Sequence, residues 1–278
     1  MGWLDAQRTH RPIGPFDDDP VTRALLAGAF AALAMLIALL PPWFLETRLI
    51  EGVNAWTKPQ KFNLSFIVHF MTLAILAQFV PRETRVKPAL SVSAYLAVAA
   101  LVLETVYIFI QAARGRRSHF NYETQLEASL YLMMGVGAVL LMIVAIVLGV
   151  QIWRKGAAAG PGLRLGAAMG LILGGVLTIV LAGYMSSGNN GRWVGDHPMG
   201  GAAVPLFGWS REVGDLRPAH FVTMHMMQTL PLAGWLLDKL RAPGSATRIA
   251  LIVFALAQIA LAFTIFFQAL AGDPFWPV

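Results

Sequence analysis

The feature that most constrains the fold is a series of apolar stretches, each about as long as a helix that crosses a lipid bilayer. Such a helix needs about 20 predominantly apolar residues. Stretches of this kind occur at about 21–45, 60–80, 88–112, 124–153, 163–186, 218–239 and 248–271. The sequence therefore predicts an all-α bundle with seven transmembrane helices.

The composition supports this class and narrows the chemistry. Hydrophobic residues make up 57% of the 278-residue chain and charged residues only 13%, which is too apolar for an ordinary soluble domain. We therefore expect a multi-pass protein of the cell (inner) membrane. The chain has no cysteine, so a bound metal would need nitrogen, oxygen or thioether ligands.

The basic residues give the formal net charge of +6, and they lie in the connections between apolar stretches. That placement indicates loop and lipid-headgroup roles and argues against nucleic-acid binding. The tail, Arg23 and the connections after stretches two, four and six hold 12 of the 21 Lys and Arg residues. By the positive-inside rule, this favours a cytoplasmic N-terminus and a C-terminus on the outside.

The sequence predicts a short tail followed by one transmembrane domain. Residues 1–20 contain prolines and an acidic run without an apolar core, so we expect a tail and not a signal peptide. Residues 21–278 are predicted to form a single transmembrane domain. Its longest outer connection, at about 187–217, is rich in glycine, and loops of this length often act as lids or binding segments.

The sixth stretch carries the clearest candidate site. Arg217, Phe221, His225, Gln228 and Leu232 follow helical spacing and share one face. Because a histidine and an amide facing hydrocarbon are costly, we expect this face to point into the bundle interior.

Three other helices carry polar stripes near the same predicted outer side. They are Lys58, Phe62, Ser65 and His69 on helix two; Glu104, Tyr107, Gln111 and Arg114 on helix three; and Glu123, Glu127, Tyr131 and Met134 on helix four. At 1.5 Å per residue, His69, Glu104 and His225 lie roughly 10–15 Å below the outer helix ends. We expect these three to converge.

The leading hypothesis is a redox protein, such as a membrane oxidoreductase, that holds one b-type haem or a metal ion. His69 and His225 would be the ligands, and Glu104 a further metal ligand or proton-transfer group. The catalytic candidates are Glu104, Tyr107 and Glu127. The remaining cofactor-binding candidates are Lys58, Lys61, Gln111, Arg114, Arg217, His220 and Gln228. Gly135, Gly137, Gly174 and Gly175 either leave room for a macrocycle or let helices pack closely.

Two other functions remain open. In a metal-dependent hydrolase, His69, His225 and Glu104 would bind zinc or copper and activate a water. Ser65, His69 and the acid on helix three resemble in part the seven-helix zinc hydrolases of the ceramidase and adiponectin-receptor type. That family has two histidines four apart on the last helix, whereas His220 and His225 are five apart on the sixth, so the resemblance is not adopted.

In a proton-coupled transporter, Glu104, Glu127, His69 and His225 would form a relay, and the basic outer loops would attract a small anionic solute. The partners expected from these hypotheses are the lipid bilayer and a quinone or small anionic substrate. A purely structural role for the polar stripes is the remaining alternative.

Overall fold

The computed structural model describes residues 16–187, 191–196 and 200–277. Most of the predicted tail and His197 of the long loop lie outside this part of the chain. In it the helices are α1 (Pro20–Ala38), α2 (Leu40–Leu45), α3 (Thr57–Ala77), α4 (Arg82–Arg85), α5 (Pro88–Ala113), α6 (Gln125–Lys155), α7 (Pro161–Ser187), α8 (Arg217–Lys239) and α9 (Gly244–Leu270). The strands are β1 (Leu49–Ile50), β2 (Val53–Asn54), β3 (Trp193–Val194) and β4 (Gly214–Asp215).

Six helical segments in the described chain are long and apolar enough to cross a membrane. They are Pro20–Leu45, which joins α1 and α2, and α3, α5, α6, α7 and α9. Their ends agree with the predicted stretches to within four residues. The prediction of an all-α, multi-pass membrane protein is confirmed at this level.

The predicted sixth span forms α8, which at 23 residues is also long enough to cross a bilayer. It is the most polar of the long helices, because it carries Arg217, His220, His225, Gln228 and Asp238. The count of seven spans and the orientation in the membrane therefore stay predictions.

Local sequence signals explain where two helices begin. Asp19 caps α1 by accepting hydrogen bonds from the backbone N–H groups of Val21 and Thr22, and Pro20 occupies the first turn. The Thr124 side chain caps α6 by accepting from the N–H of Glu127. Both caps satisfy donors that a helix start would otherwise leave without partners.

The helices form two compact units, residues 1–160 and 161–278. The prediction of one domain from residue 21 onwards is not tested by this grouping and stays a prediction. In the first unit, α3 packs against α1, α5 and α6, and α5 packs against α1 and α6. We call the end where α1 and α5 begin and α3 finishes the Arg85 end. The opposite end, next to the β1–β2 turn, is the hairpin end.

In the second unit, α7 packs tightly along α8 through a row of glycines. A Cβ atom added to Gly166 would lie 2.3 Å from the Leu230 oxygen, and one added to Gly170 would lie 2.5 Å from the Met226 oxygen. Gly162 and Gly174 continue the row one turn to either side. Gly174, which was considered as room for a macrocycle, instead allows close helix packing.

Two of the connections between helices contain short strands that the helical patterns did not predict. Strands β1 and β2 form a hairpin whose turn residues Glu51 and Gly52 have φ of 51° and 78°. In the described part of the 187–217 connection, β3 pairs with β4, and Ala203 bridges to Ser210.

Candidate functional site

His69 lies in the interior of the first unit. Its side chain is on α3, it is 9% exposed, and its Nε2 is 3.1 Å from the Leu141 carbonyl oxygen on α6. Because a carbonyl only accepts hydrogen bonds, Nε2 carries the hydrogen in this contact. The bond ties α3 to α6 and holds the imidazole in one orientation.

Glu104 reaches α6 from the other neighbouring helix. It is 5% exposed on α5, and its Oε1 atom has no hydrogen-bond partner among the described residues. A Cβ atom added to Gly137 on α6 would lie 2.6 Å from that oxygen. Gly137 therefore makes the space that the carboxyl group occupies, which is the role of a glycine at a close approach.

His69 and Glu104 contact neighbouring turns of the same helix. Gly137 and Leu141 are four residues apart, so they lie on one face of α6, about 6 Å apart along its axis. Two of the three residues that were predicted to converge thus contact α6 at positions one turn apart, and their convergence with His225 stays a prediction.

His225 lies in the second unit, on α8. Its Nδ1 is 2.8 Å from the Phe221 carbonyl oxygen, and its ring lies 3.9 Å from the Phe221 ring, centroid to centroid. Nδ1 therefore donates, and the lone pair of a neutral imidazole is on Nε2. The rings of Phe207 and Trp209 pack against Phe221.

No three His, Asp or Glu side chains are grouped so as to hold a metal ion among residues 16–187, 191–196 and 200–277. His69 and Glu104 belong to the first compact unit, and His225 belongs to the second. The structure therefore does not confirm the predicted three-ligand metal site or the predicted His69–His225 haem site, and both stay predictions.

Four further predicted residues meet at the hairpin end of the first unit. The fully buried Gln111 amide donates to the Tyr107 hydroxyl over 3.1 Å and to Glu127 Oε1 over 3.4 Å. Its own oxygen accepts from Arg114 Nη1 over 3.1 Å. Tyr107, Gln111, Arg114 and Glu127 therefore form one hydrogen-bonded chain.

Carboxylates surround the arginines at the hairpin end. Arg116 contacts Glu127 Oε1 over 3.2 Å and Glu123 over 2.5 Å, while Arg117 contacts Glu123 and Glu51. The hydrogen bond from Arg116 holds the pKa of Glu123 below its usual value. The predicted attraction of an anion by these loops is thereby weakened, because their arginines face acids of the same unit.

In the second unit, Arg217 likewise pairs with a carboxylate. Its Nε and Nη2 atoms lie 2.9 and 2.5 Å from the two carboxylate oxygens of the buried Asp215, and Nη2 also donates to the Gly208 carbonyl. This bidentate pair fixes the start of α8. His220, one turn further, has a buried Nδ1 without a partner in the described chain. Lys58 and Lys61 lie in the first turns of α3, and Gln228 is half-buried on α8.

The sequence patterns missed one group of polar residues, at the hairpin end of the first unit. Asn63 is 1% exposed, and neither its Oδ1 nor its Nδ2 has a hydrogen-bond partner in the described chain. The buried Thr105 hydroxyl lacks one too. Both border a narrow crevice that is too small to hold a water molecule and is also lined by Leu39, Pro59, Phe62 and Ile108. The sequence signal that could have identified this group is the amide of Asn63 inside an apolar helix.

The sequence patterns also missed a charged cluster at the Arg85 end. The fully buried Arg85 side chain contacts Asp17 over 2.5 Å and Asp19 over 3.0 Å. It also donates to the carbonyls of Ala77 and Val80. The acidic run that reads as part of a tail therefore anchors the start of α1.

Comparisons of this chain with known protein families, with curated proteins and with solved structures found no match.

Proposed function

We propose that this protein is a proton-coupled membrane transporter and that Glu104 is the group that binds and releases the coupled proton. The observation that carries the proposal is the buried carboxyl group of Glu104, which has an unpartnered oxygen and contacts α6 one turn from the carbonyl that His69 contacts. Ionisable side chains of this kind inside membrane bundles characteristically belong to proton pathways.

A structural role explains Glu104 poorly. A buried carboxyl stabilises a fold when its oxygens accept hydrogen bonds or face a cation, and otherwise its burial costs free energy. The Oε1 atom of Glu104 does neither in the described chain. Gly137 leaves the space that this group needs, although a larger residue there would pack α5 and α6 more fully.

Polar residues follow Glu104 along α5 towards the hairpin end. Tyr107 and Gln111 follow Glu104 on the same face of α5, and the Gln111 amide contacts both the Tyr107 hydroxyl and Glu127. Protons move along such chains of hydroxyl, amide and carboxyl groups when waters complete them. Glu127 would then be the group at the end of the route.

Proteoliposomes that contain a pH-sensitive dye test the proposal. Small carboxylic acids, amides, amino acids and sugars are added outside one at a time, and the internal pH is followed. We expect at least one solute to move protons through the wild type and none to do so through Glu104→Gln. Glu83→Gln, at an exposed position of α4, is the matched control and keeps the wild-type rate. Wild-type rates in Glu104→Gln would refute the proposal, as would a wild type that moves no protons with any solute.

A redox function is the second candidate, and the tautomer of His225 favours it. The Phe221 carbonyl holds Nδ1, so Nε2 is the nitrogen that presents a lone pair, as in many imidazole ligands of haem and metals. A haem b or a copper or zinc ion would be held there, with a quinone as the expected redox partner. Absorption spectra and metal analysis of the wild type, His225→Ala and His69→Ala test this. A bound haem or metal that survives both substitutions would exclude both histidines as ligands.

We also propose the cell (inner) membrane as the location, with the N-terminus in the cytoplasm, from the distribution of Lys and Arg. The metal-dependent hydrolase is the weakest of the three functions, because no group of three His, Asp or Glu ligands occurs in the described chain.

A further inference from the structure

We infer that a loop of the second unit inserts into the lipid bilayer. Residues 203–210, which we call the apolar loop, lie in the connection between α7 and α8. Their partner is the lipid surface, at the boundary between headgroups and acyl chains. This interaction surface is separate from Glu104, and the inference does not depend on the proposed function.

The tip of the apolar loop exposes a leucine in a backbone conformation that leucine disfavours. Leu206 is 89% exposed, more than any other large apolar side chain in the described chain, and its φ is 66°. Glycine and asparagine adopt this left-handed conformation at lower cost, and both suit water better than leucine does. An apolar environment around the tip explains the leucine.

Aromatic side chains extend the apolar surface on both sides of the tip. Phe207 is exposed and stacks on Trp209 with 4.4 Å between ring centroids, and the exposed Phe275 meets the other indole contact of this group at 5.8 Å. Arg211 donates to the carbonyl of Trp276, which is 61% exposed, and so holds the C-terminal segment beside the loop. Tryptophan is enriched where membranes meet water, and this patch contains two.

The packing of the loop places this patch at the level of helix ends. The rings of Phe207 and Trp209 each lie 5.4 Å from the Phe221 ring in the second turn of α8, so the loop lies against the side of that helix. A Cβ atom at Gly214 would overlap the Ala269 carbonyl oxygen in the last turn of α9, a helix long and apolar enough to span a membrane. The ends of such helices lie at the membrane–water interface.

The loop can enter a partly apolar region because its backbone groups have partners. The Val204 N–H donates to the Trp209 carbonyl over 2.8 Å, and the Gly208 N–H donates to the Val204 carbonyl over 2.8 Å. Pro205 has no N–H, and the Gly208 carbonyl accepts from Arg217 Nη2. Backbone groups left without partners would make insertion into lipid costly.

The side chains of the apolar loop favour lipid over a protein partner. Residues 203–210 contain no charged residue, and the Ser210 hydroxyl, their sole side-chain hydroxyl, is on a residue that is 1% exposed and accepts from the Glu212 and Val213 N–H groups. Protein interfaces combine apolar contacts with hydrogen bonds, whereas the acyl chains of lipids need only an apolar surface.

Fluorescence of single-cysteine variants tests the inference on the full-length protein in phosphatidylcholine vesicles. Because the chain has no cysteine, Leu206→Cys and Asp196→Cys each take one bimane fluorophore. Asp196, a charged and exposed residue of the same connection, is the matched control. Since Leu206 is so exposed, its replacement removes little packing and the variant folds.

Two quenchers report where the fluorophore lies. Full burial of one leucine or phenylalanine side chain favours the inserted state by at least about tenfold, so iodide on both sides of the membrane should quench the Leu206 position at least about tenfold less than the Asp196 position. Phosphatidylcholine with a nitroxide near the headgroup end of its acyl chain should quench the Leu206 position strongly and the Asp196 position weakly.

Three results would overturn the inference. Equal access of iodide to both positions would place the tip in water. Equal shielding of both positions would mean that the fluorophore itself enters the bilayer. Shielding of the Leu206 position without quenching by the nitroxide lipid would assign a protein partner, and energy transfer between labelled copies would then identify a second copy of this chain.

Discussion

Two buried polar regions of the first unit differ in how their groups are satisfied. At the Arg85 end, the guanidinium donates to two carbonyls and contacts two carboxylates, and only its Nε lacks a partner in the described chain. Towards the hairpin end, both polar atoms of the Asn63 amide and one oxygen of Glu104 have no partner there.

This difference in hydrogen bonding distinguishes a structural role from a functional one. A buried charge with matched partners fixes one arrangement of the chain, because removing either partner leaves the other buried without its counter-charge. A buried polar group without partners costs free energy, so its presence calls for a ligand, a proton or a water. The Arg85 end therefore holds the unit together, and the hairpin half contains its candidate site.

The largest expected effect is the loss of the Arg85 cluster. Arg85→Ala leaves Asp19 buried without its cation, and we expect a loss of about 3–5 kcal/mol in the free energy of unfolding. Thermal unfolding of the purified protein measures it. Arg82→Ala, at the exposed neighbouring arginine, is the control, and equal stability of the two variants would contradict the structural role.

Gly137→Ala is expected to have the next largest effect. The new Cβ would lie 2.6 Å from Glu104 Oε1, so the carboxyl must move, at a cost of about 1–3 kcal/mol. Adding Glu104→Ala should restore part of that loss, because the clash disappears. Gly135→Ala is the control, since a Cβ there meets nothing within 4 Å. Additive effects in the double variant would show that Glu104 does not occupy this space.

Asn63→Leu should change stability in the opposite direction. Leucine has a similar size and removes two unsatisfied polar atoms, so we expect the free energy of unfolding to rise by about 1 kcal/mol. The midpoint of thermal unfolding, measured without ligand, checks the sign. A marked loss of stability would mean that the amide has a structural partner.

The smallest effect concerns Glu123 at the surface of the hairpin end. Its folded-state pKa is lowered by Arg116, so its pairing stabilises the fold above the unfolded pKa and is lost as pH falls through the folded one. Glu123→Gln should therefore be slightly less stable than the wild type at neutral pH and equally stable in acid. A difference that persists in acid would rule out the ion pair as its source.

Several features of the candidate site could be predicted from residue spacing within single helices. The spacing of Glu104, Tyr107 and Gln111 predicted a shared face, and two of these side chains do contact each other. The depth estimate placed His69 and Glu104 at the same level, and both contact α6 within one turn. Periodicity fixes such relations because the geometry of one helix is regular.

The sequence by itself determined the apolar spans and their ends, because a helix that crosses a bilayer needs a length and a polarity that are both local properties. Tertiary structure alone decided that Arg85 meets Asp17 and Asp19, that Gly137 makes room for Glu104, and that Asn63 meets no partner. These relations join residues far apart in the chain, and whether a buried polar group is satisfied depends on the neighbours that packing brings to it.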